Sequence, residues 1–150
     1  MSTNPVFSSS DFEKVPSFLT ADRPERLLHA DVLDDTALHN DEFSQERRHL
    51  VRPVDLPSRA LSMTIGGLAV GQATRRHRHN YETIIYVIAG NGVSIIEGHE
   101  VLWRAGDALY IPTWAWHQHR NTSATEEALY VACENAPMLQ NLGIALREEA

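Results

Sequence analysis

From Ala60 to Cys133 the chain contains short apolar runs, several of which end at glycine. The runs are LSMTIGGLAVG, TIIYVIAG, VSIIEG, HEVLWRAG, ALYIP and EALYVAC. Runs rich in Val, Ile, Leu and Tyr that recur every roughly 8 to 12 residues predict an all-β, antiparallel sandwich or barrel rather than βαβ units. Within this region Asn91-Gly92 predicts a hairpin, because both central positions of a type I′ turn need a positive φ.

Residues 1–52 are polar, mixed in charge and without an alternating pattern. We interpret them as an N-terminal arm, helical or irregular, and residues 53–150 as the barrel with a C-terminal segment. Ala21 to Leu33 and Asp41 to Leu50 are the stretches of the arm that favour helix, with Pro24 acceptable only near a first turn. The segment from Ala136 to Glu149 is predicted to be a terminal helix or a covering segment.

Charge and cysteine content exclude several classes of protein. The chain has 150 residues, with 13 Lys and Arg against 20 Asp and Glu, for a formal net charge of −7. An acidic chain is poorly suited to binding nucleic acid through its phosphates. The lone cysteine, Cys133, excludes an internal disulfide framework and any multi-cysteine zinc site. Without a membrane-length apolar run or a secretory signal pattern, we expect a soluble, cytoplasmic protein.

Two His-x-His pairs, HRH at 77–79 and HQH at 117–119, lie near the ends of separate β-like runs. Alternate residues of a strand face the same side, so each pair presents two imidazoles together. Two imidazoles on one strand face are half of a metal site, and neutral imidazole suits zinc, iron, copper or nickel. The alternative is that these histidines lie at the surface or form ordinary hydrogen bonds.

The spacing around these pairs resembles the two cupin motifs. Gly71-QATRR-His77-R-His79-NYE-Thr83-IIYVIA-Gly90 resembles the first motif, and Gly106-DALYI-Pro112-TWAW-His117-QHR-Asn121 resembles the second. The resemblance implies a cupin-type jelly-roll barrel of a single domain, a fold that hosts many functions. Trp114 stands where the second motif usually has glycine, so we expect a turn of different shape there.

The first motif departs from the cupin pattern at its carboxylate ligand. Thr83 occupies the usual glutamate position, and Glu82 lies one residue early, where it could coordinate only if the strand register slipped. We therefore predict a metal site of His77, His79 and His117, with Glu82 as the alternative fourth ligand. A pattern of HRH without glutamate, followed by WAWHQHRN, is similar to that of gentisate and salicylate ring-cleaving dioxygenases. Those enzymes carry three-histidine ferrous sites and usually two cupin domains in a longer chain.

This resemblance implies Fe(II) as cofactor, with Zn, Mn or Ni as alternatives, and dioxygen and a small molecule as partners. Three neutral ligands would leave a charge of +2 and about three open coordination positions. Such a site suits a hydroxyaromatic or enolic acid bound through two oxygens beside dioxygen. The alternatives are a non-oxidative metallocupin (isomerase, lyase or cyclase) and a cupin that binds a small molecule without turnover.

Other side chains are candidates for the chemistry around the metal. His119 shares a strand face with His117 and is the candidate acid or base. Arg75 could bind a substrate carboxylate, or else belong to a solvated strand end. Trp103, Tyr110 and Trp116 suit a flat ligand, although aromatic residues of a barrel are commonly core. We also predict a homodimer, because pairing relieves an open sheet edge.

Overall fold

The computed structural model describes residues 20–21, 23–33 and 49–150. Within them, ten strands form two five-stranded antiparallel sheets, so the predicted all-β jelly-roll architecture is confirmed. The strands are β1 (Leu50–Pro53), β2 (Ser62–Leu68), β3 (His77–His79), β4 (Thr83–Ala89), β5 (Asn91–Ile96), β6 (His99–Arg104), β7 (Ala108–Ile111), β8 (His117–Asn121), β9 (Ala128–Glu134) and β10 (Arg147–Glu149). A short helix, α1 (Ala136–Asn141), lies between β9 and β10.

The first sheet has the strand order β1-β2-β9-β4-β7, and the second has the order β10-β3-β8-β5-β6. We call the second sheet the histidine sheet, because β3 and β8 carry both His-x-His pairs. Strand β4 shows why the sheets pack together: Thr83, Ile85 and Val87 are buried while the alternate residues are exposed. The buried residues of the two sheets form one core, made of Leu68, Ile85, Val87, Trp103, Leu109, Ile111, Ala128, Tyr130 and Ala132.

The tight hairpin of the histidine sheet lies at Glu97-Gly98. These residues have φ values of 48° and 79° and join β5 to β6, where Ile96 pairs with His99. The hairpin predicted at Asn91-Gly92 is wrong, because these residues begin β5. Gly90, with φ 82°, instead lets the chain pass from β4 in the first sheet to β5 in the histidine sheet.

Strand β1 crosses the boundary that we placed between residues 52 and 53, so Leu50 to Arg52 belong to the first sheet. The helix predicted over Ala21 to Leu33 is wrong for the described residues of that stretch, none of which is helical. Leu27 and Leu28 are 83% and 74% exposed, so the stretch buries no apolar face that would stabilise a helix. Of the second predicted helix, residues 41–48 lie outside the described residues, and Leu50 is in a strand.

The C-terminal segment is helical only from Ala136 to Asn141. Gly143, with φ 72°, follows the helix, and Arg147–Glu149 then form β10, which pairs with β3 at the edge of the histidine sheet. The side chain of Asn80 holds the segment before β10 with two hydrogen bonds. Its amide donates to the Ile144 carbonyl at 2.8 Å, and its side-chain oxygen accepts from the Leu146 N–H at 2.8 Å. The described residues contain no helix with the length and apolarity that crossing a membrane requires.

Candidate metal centre

Strands β3 and β8 bring three imidazoles to one point. His77 and His117 stand directly opposite each other in the register of the two strands, and their ring centroids are 4.3 Å apart. His79 follows on the same face of β3, with its centroid 4.8 Å from that of His117. One ring nitrogen from each of the three residues lies within 4.8 Å of the others. Three donors at this spacing can share a single ion.

Backbone carbonyls set the tautomer of all three rings. Nδ1 of His77 lies 3.0 Å from the Arg75 oxygen, Nδ1 of His79 lies 2.8 Å from the Tyr81 oxygen, and Nδ1 of His117 lies 2.8 Å from the Ala115 oxygen. Because a carbonyl oxygen only accepts, each Nδ1 must carry the hydrogen. The lone pair is then on Nε2 in every ring, which is the arrangement that metal-binding histidines use.

Burial keeps the imidazoles of His77 and His117 neutral at physiological pH. Desolvation, and then repulsion from His117, lowers the pKa of His77 to about 2. The pKa of His117 is lowered as well, again mainly by burial. A protonated imidazole has no lone pair for a metal, so a lowered pKa makes the rings competent ligands. The donor set therefore fits a divalent cation.

The three rings line a cavity of about 60 Å³, which is room for a few water-sized ligands. Its wall also includes Thr64, Thr74, Thr83, Tyr130 and Glu134 from the first sheet and the loop before β3, together with His49 and His119. A smaller neighbouring cavity shares His49, Thr74 and His77 and is completed by Arg75, Arg147 and Glu149. The centre thus lies beside a wall that carries both basic and acidic side chains.

His119 lies next to the cluster but outside it. Its ring lines the same cavity, with its centroid 5.6 Å from that of His117. Its Nδ1 is 2.6 Å from Ser94 Oγ, and its backbone N–H donates to Thr74 Oγ1 at 3.0 Å. Burial, and then the neighbouring His117, lowers the pKa of His119 to about 3, so this ring is also neutral.

Several residues that we associated with the site lie elsewhere. Tyr110 is half exposed on β7 and donates its hydroxyl hydrogen to Glu82 Oε1 at 2.5 Å, which raises the pKa of Tyr110. Because Glu82 bonds there, its carboxylate is outside the histidine cavity. Trp116 packs against the guanidinium groups of Arg76 and Arg78, each 4.5 Å from the ring centroid.

Arg75 and Trp103 lie closer to the centre without lining its cavity. Arg75 Nη1 is 2.9 Å from Glu149 Oε2, at the neighbouring cavity. Trp103 is buried and donates its indole N–H to Ser94 Oγ at 2.9 Å. Each of these two side chains is therefore already engaged by another residue of the chain.

The sequence reading missed two residues of the cavity wall, His49 and Glu134, and one partner of His119, Ser94. His49 reaches the wall because it precedes β1, and Glu134 because it ends β9 opposite Thr83. Both positions depend on long-range strand pairing, for which the local sequence carries no signal. Ser94 could have been found, since it is a polar residue in an inward position of an otherwise apolar run.

Trp114 keeps the backbone conformation that glycine favours. Its φ is 62°, so the turn of different shape that we expected is not seen at this residue. A left-handed conformation costs a bulky residue about 1–2 kcal/mol. Two contacts offset this cost: its N–H donates to the His79 carbonyl at 2.7 Å, and its ring stacks on the Arg78 guanidinium at 4.4 Å.

Thr83 carries a buried hydroxyl that has no hydrogen-bond partner among the described residues. Its replacement by valine, which has the same shape, should remove an unsatisfied polar group and raise the Tm of the metal-free protein by about 2–4 °C. The matched control is Thr74→Val, because Thr74 Oγ1 accepts the His119 N–H. That variant should have a lower Tm, as measured by calorimetry, and a lower Tm for Thr83→Val would show that the Thr83 hydroxyl is bonded.

Comparison with known proteins decides the family. The model of the family described as "Cupin domain" matches residues 65–133, which include β3, β4 and β8. The chain contains a cupin domain. The resemblance of its two histidine motifs to the cupin motifs is thereby confirmed, and the domain includes all three clustered histidines.

Several similar proteins are named as 1,2-dioxygenases and are longer than this chain. The 5-aminosalicylate 1,2-dioxygenase of Comamonas sp is 34% identical over 79 residues, which cover 53% of this chain and 20% of that enzyme. The gentisate 1,2-dioxygenase of Streptomyces sp is 40% identical over 48 residues, or 31% of this chain and 13% of the relative. The crystal structure of the salicylate 1,2-dioxygenase of Pseudaminobacter salicylatoxidans matches 94% of this chain and 47% of that chain, with a TM-score of 0.71 at 19% identity. The chain therefore spans less than half the length of these relatives.

Proposed function

We propose that the cupin domain holds a ferrous ion on His77, His79 and His117 and oxidises a small hydroxyaromatic or enolic acid with dioxygen. The observation that supports it is a cluster of three imidazoles in a cavity that also includes Thr83, the residue at the usual glutamate position of the first cupin motif. Neutral ligands leave the full charge of the ion to attract an anionic substrate, and leave room for two reactants. The sequence similarity to two dioxygenases supports the reaction class.

The residues of the chain supply binding and orientation. A bound ferrous ion would contribute the redox chemistry and hold substrate and dioxygen side by side. His119, neutral and buried beside His117, would hydrogen-bond an anionic oxygen of the substrate. The buried wall limits water around the reacting atoms, which strengthens these interactions.

Oxygen uptake tests the proposal. The protein is loaded with Fe(II) without air and mixed with gentisate, salicylate, 5-aminosalicylate and small enolic acids, while dioxygen is followed with an electrode. We expect one mole of dioxygen consumed per mole of one of these acids, and none with the His117→Ala variant. No consumption with any of them by a protein that retains its iron would refute the dioxygenase.

The size of the cavity favours a second candidate, a non-oxidative metallocupin. About 60 Å³ is far below the roughly 300 Å³ at which ligand pockets usually begin, so a small substrate fits more easily than a ring. An isomerase, lyase or cyclase would use zinc, manganese or nickel as a Lewis acid. Turnover of a small enolic acid by the zinc-loaded protein without air would decide for this alternative.

We also propose a homodimer, formed through the outer face of the first sheet. Ile84, Tyr86 and Ile88 of β4 are 58%, 52% and 41% exposed and form an apolar stripe beside Tyr110 of β7. Light scattering should give a molecular mass twice the 16.8 kDa of one chain. The Tyr86→Lys variant should have the mass of one chain, because a charge would interrupt the apolar stripe. A monomer at micromolar concentration would refute the dimer. The cytoplasmic location stays a prediction.

A further inference from the structure

Ser94 joins two buried side chains of the histidine sheet. Its Oγ lies 2.9 Å from the indole nitrogen of Trp103 and 2.6 Å from Nδ1 of His119. The strand register allows both contacts, because Ser94 stands opposite His119 in β8 and opposite Val101 in β6, two residues from Trp103. All three side chains are buried, and Ser94 has no solvent exposure at all. The polar hydrogens of Ser94 and Trp103 must therefore find acceptors within the protein.

Counting donors and acceptors gives the direction of both hydrogen bonds. The indole N–H only donates, so Ser94 Oγ accepts from Trp103. The Ser94 hydroxyl hydrogen then has one acceptor among the described residues, Nδ1 of His119. If His119 donated instead, the hydroxyl hydrogen would be buried without a partner, at a cost of about 1–3 kcal/mol. His119 Nδ1 is therefore the acceptor, and the neutral ring carries its hydrogen on Nε2.

The two histidines of β8 thus have opposite tautomers. His117 donates from Nδ1 to the Ala115 carbonyl and has its lone pair on Nε2. His119 accepts at Nδ1 from Ser94, and its Nε2 carries hydrogen and cannot bind a metal without losing it. Although both rings line the cavity, one is prepared as a ligand and the other as a hydrogen-bond donor.

We propose that Trp103 and Ser94 are positioning residues that fix His119 as an Nε2–H donor to the ligand of the metal centre. This inference rests on the proposed metal site and adds the chemistry of its ligand. The ligand must present an oxygen or nitrogen atom with a lone pair to His119, as a phenolate, enolate or carboxylate does. In this role His119 stabilises negative charge and does not remove a proton from the incoming substrate.

Nitrogen NMR tests the tautomers directly. Long-range ¹H–¹⁵N spectra of the zinc-loaded protein, labelled in histidine, report which ring nitrogen carries hydrogen. We expect hydrogen on Nε2 for His119, and on Nδ1 for the three clustered histidines. Ser94→Ala and Trp103→Phe should each convert His119 to a mixture of tautomers, whereas Ser62→Ala should not. A hydrogen on Nδ1 of His119 in the unchanged protein would overturn the inference, whether or not any variant folds.

Ligand affinity tests the consequence. Azide binding to the cobalt-loaded protein, followed by visible absorption, should weaken about tenfold in Ser94→Ala, because a hydrogen bond to an anion is lost. Imidazole is the control ligand, since its metal-bound nitrogen has no lone pair left to accept, and its affinity should not change. Cobalt stoichiometry should also be unchanged. An azide affinity within about twofold of the unchanged protein would overturn the positioning role.

Salicylate binding to the cobalt-loaded protein distinguishes a failure of this inference from a failure of the proposed function. Salicylate added to the cobalt-loaded protein without air should bind and should show the same loss in Ser94→Ala. If azide responds as expected and neither salicylate nor any other hydroxyaromatic or enolic acid binds, the positioning of His119 stands and the proposed substrate class fails. If salicylate binds equally to both proteins, the substrate class stands and the positioning role fails.

Discussion

Replacing His117 with alanine should abolish metal binding. His117 is 3% exposed, and its ring is the one that joins His77 and His79 into a cluster. Changes to groups that only support a metal ligand lower affinity by about 10- to 100-fold, so loss of a ligand should cost more than about a hundredfold. Metal analysis after dialysis against zinc or Fe(II) should give one ion per chain for the unchanged protein and none for the variant.

Two further variants make this result specific. His77→Ala removes a half-buried ligand and should cause the same loss, even if the buried His117→Ala protein folds poorly. His99→Ala removes an exposed histidine of β6 and should leave one ion per chain. Retention of the ion by both ligand variants would contradict the three-histidine centre, and circular dichroism would confirm that each protein is folded.

Gly90→Ala should unfold much of the protein at room temperature or lower its stability by several kcal/mol. A Cβ at this position would lie 2.6 Å from the Glu127 carbonyl oxygen and 2.8 Å from the Ala128 Cα. Ala128 begins β9, the central strand of the first sheet, and Glu127 immediately precedes it, so neither atom can move cheaply. The left-handed conformation adds about 1–2 kcal/mol, and a clash in a packed core typically adds a further ~1–3 kcal/mol.

Gly98→Ala separates these two effects. Gly98 has nearly the same φ, 79° against 82°, but a Cβ there would meet no atom within 4 Å. This variant should lose only the conformational part, about 1–2 kcal/mol in urea unfolding. Equal losses for both variants would show that the close approach of β4 to β9 at Gly90 is not what makes glycine necessary.

Features encoded over a few residues could be predicted from the sequence. The apolar run TIIYVIA predicted a strand, and the i, i+2 spacing of HRH and HQH placed each pair of histidines on one face. The cupin motifs supplied the joint site of His77, His79 and His117, which the spacing within one strand cannot give. The fold and the cluster of three imidazoles follow from these two kinds of information.

Other features could not be predicted because several residues of the sequence suit the same role equally well. Asn91-Gly92 and Glu97-Gly98 both suit a tight turn, and the choice between them depends on which sheet each strand joins. Tyr110 was predicted to contact the ligand because it is aromatic. Leu109 and Ile111 are the buried residues of β7, however, and Tyr110 lies on the exposed face of the strand. Trp103 faces inward, yet a serine from the neighbouring strand binds its only polar atom. Sequence reasoning identified residue types suited to the chemistry, while tertiary pairing decided which of them reach it.

The most direct measurement is a crystal structure of the zinc-loaded protein with anomalous data collected at the zinc edge. We predict one strong peak bound by Nε2 of His77, His79 and His117 at about 2.0–2.1 Å, with only solvent oxygen completing the coordination. A carboxylate ligand from Glu134 or Glu82, coordination through Nδ1, or an ion bound away from these three rings would contradict the three-histidine centre.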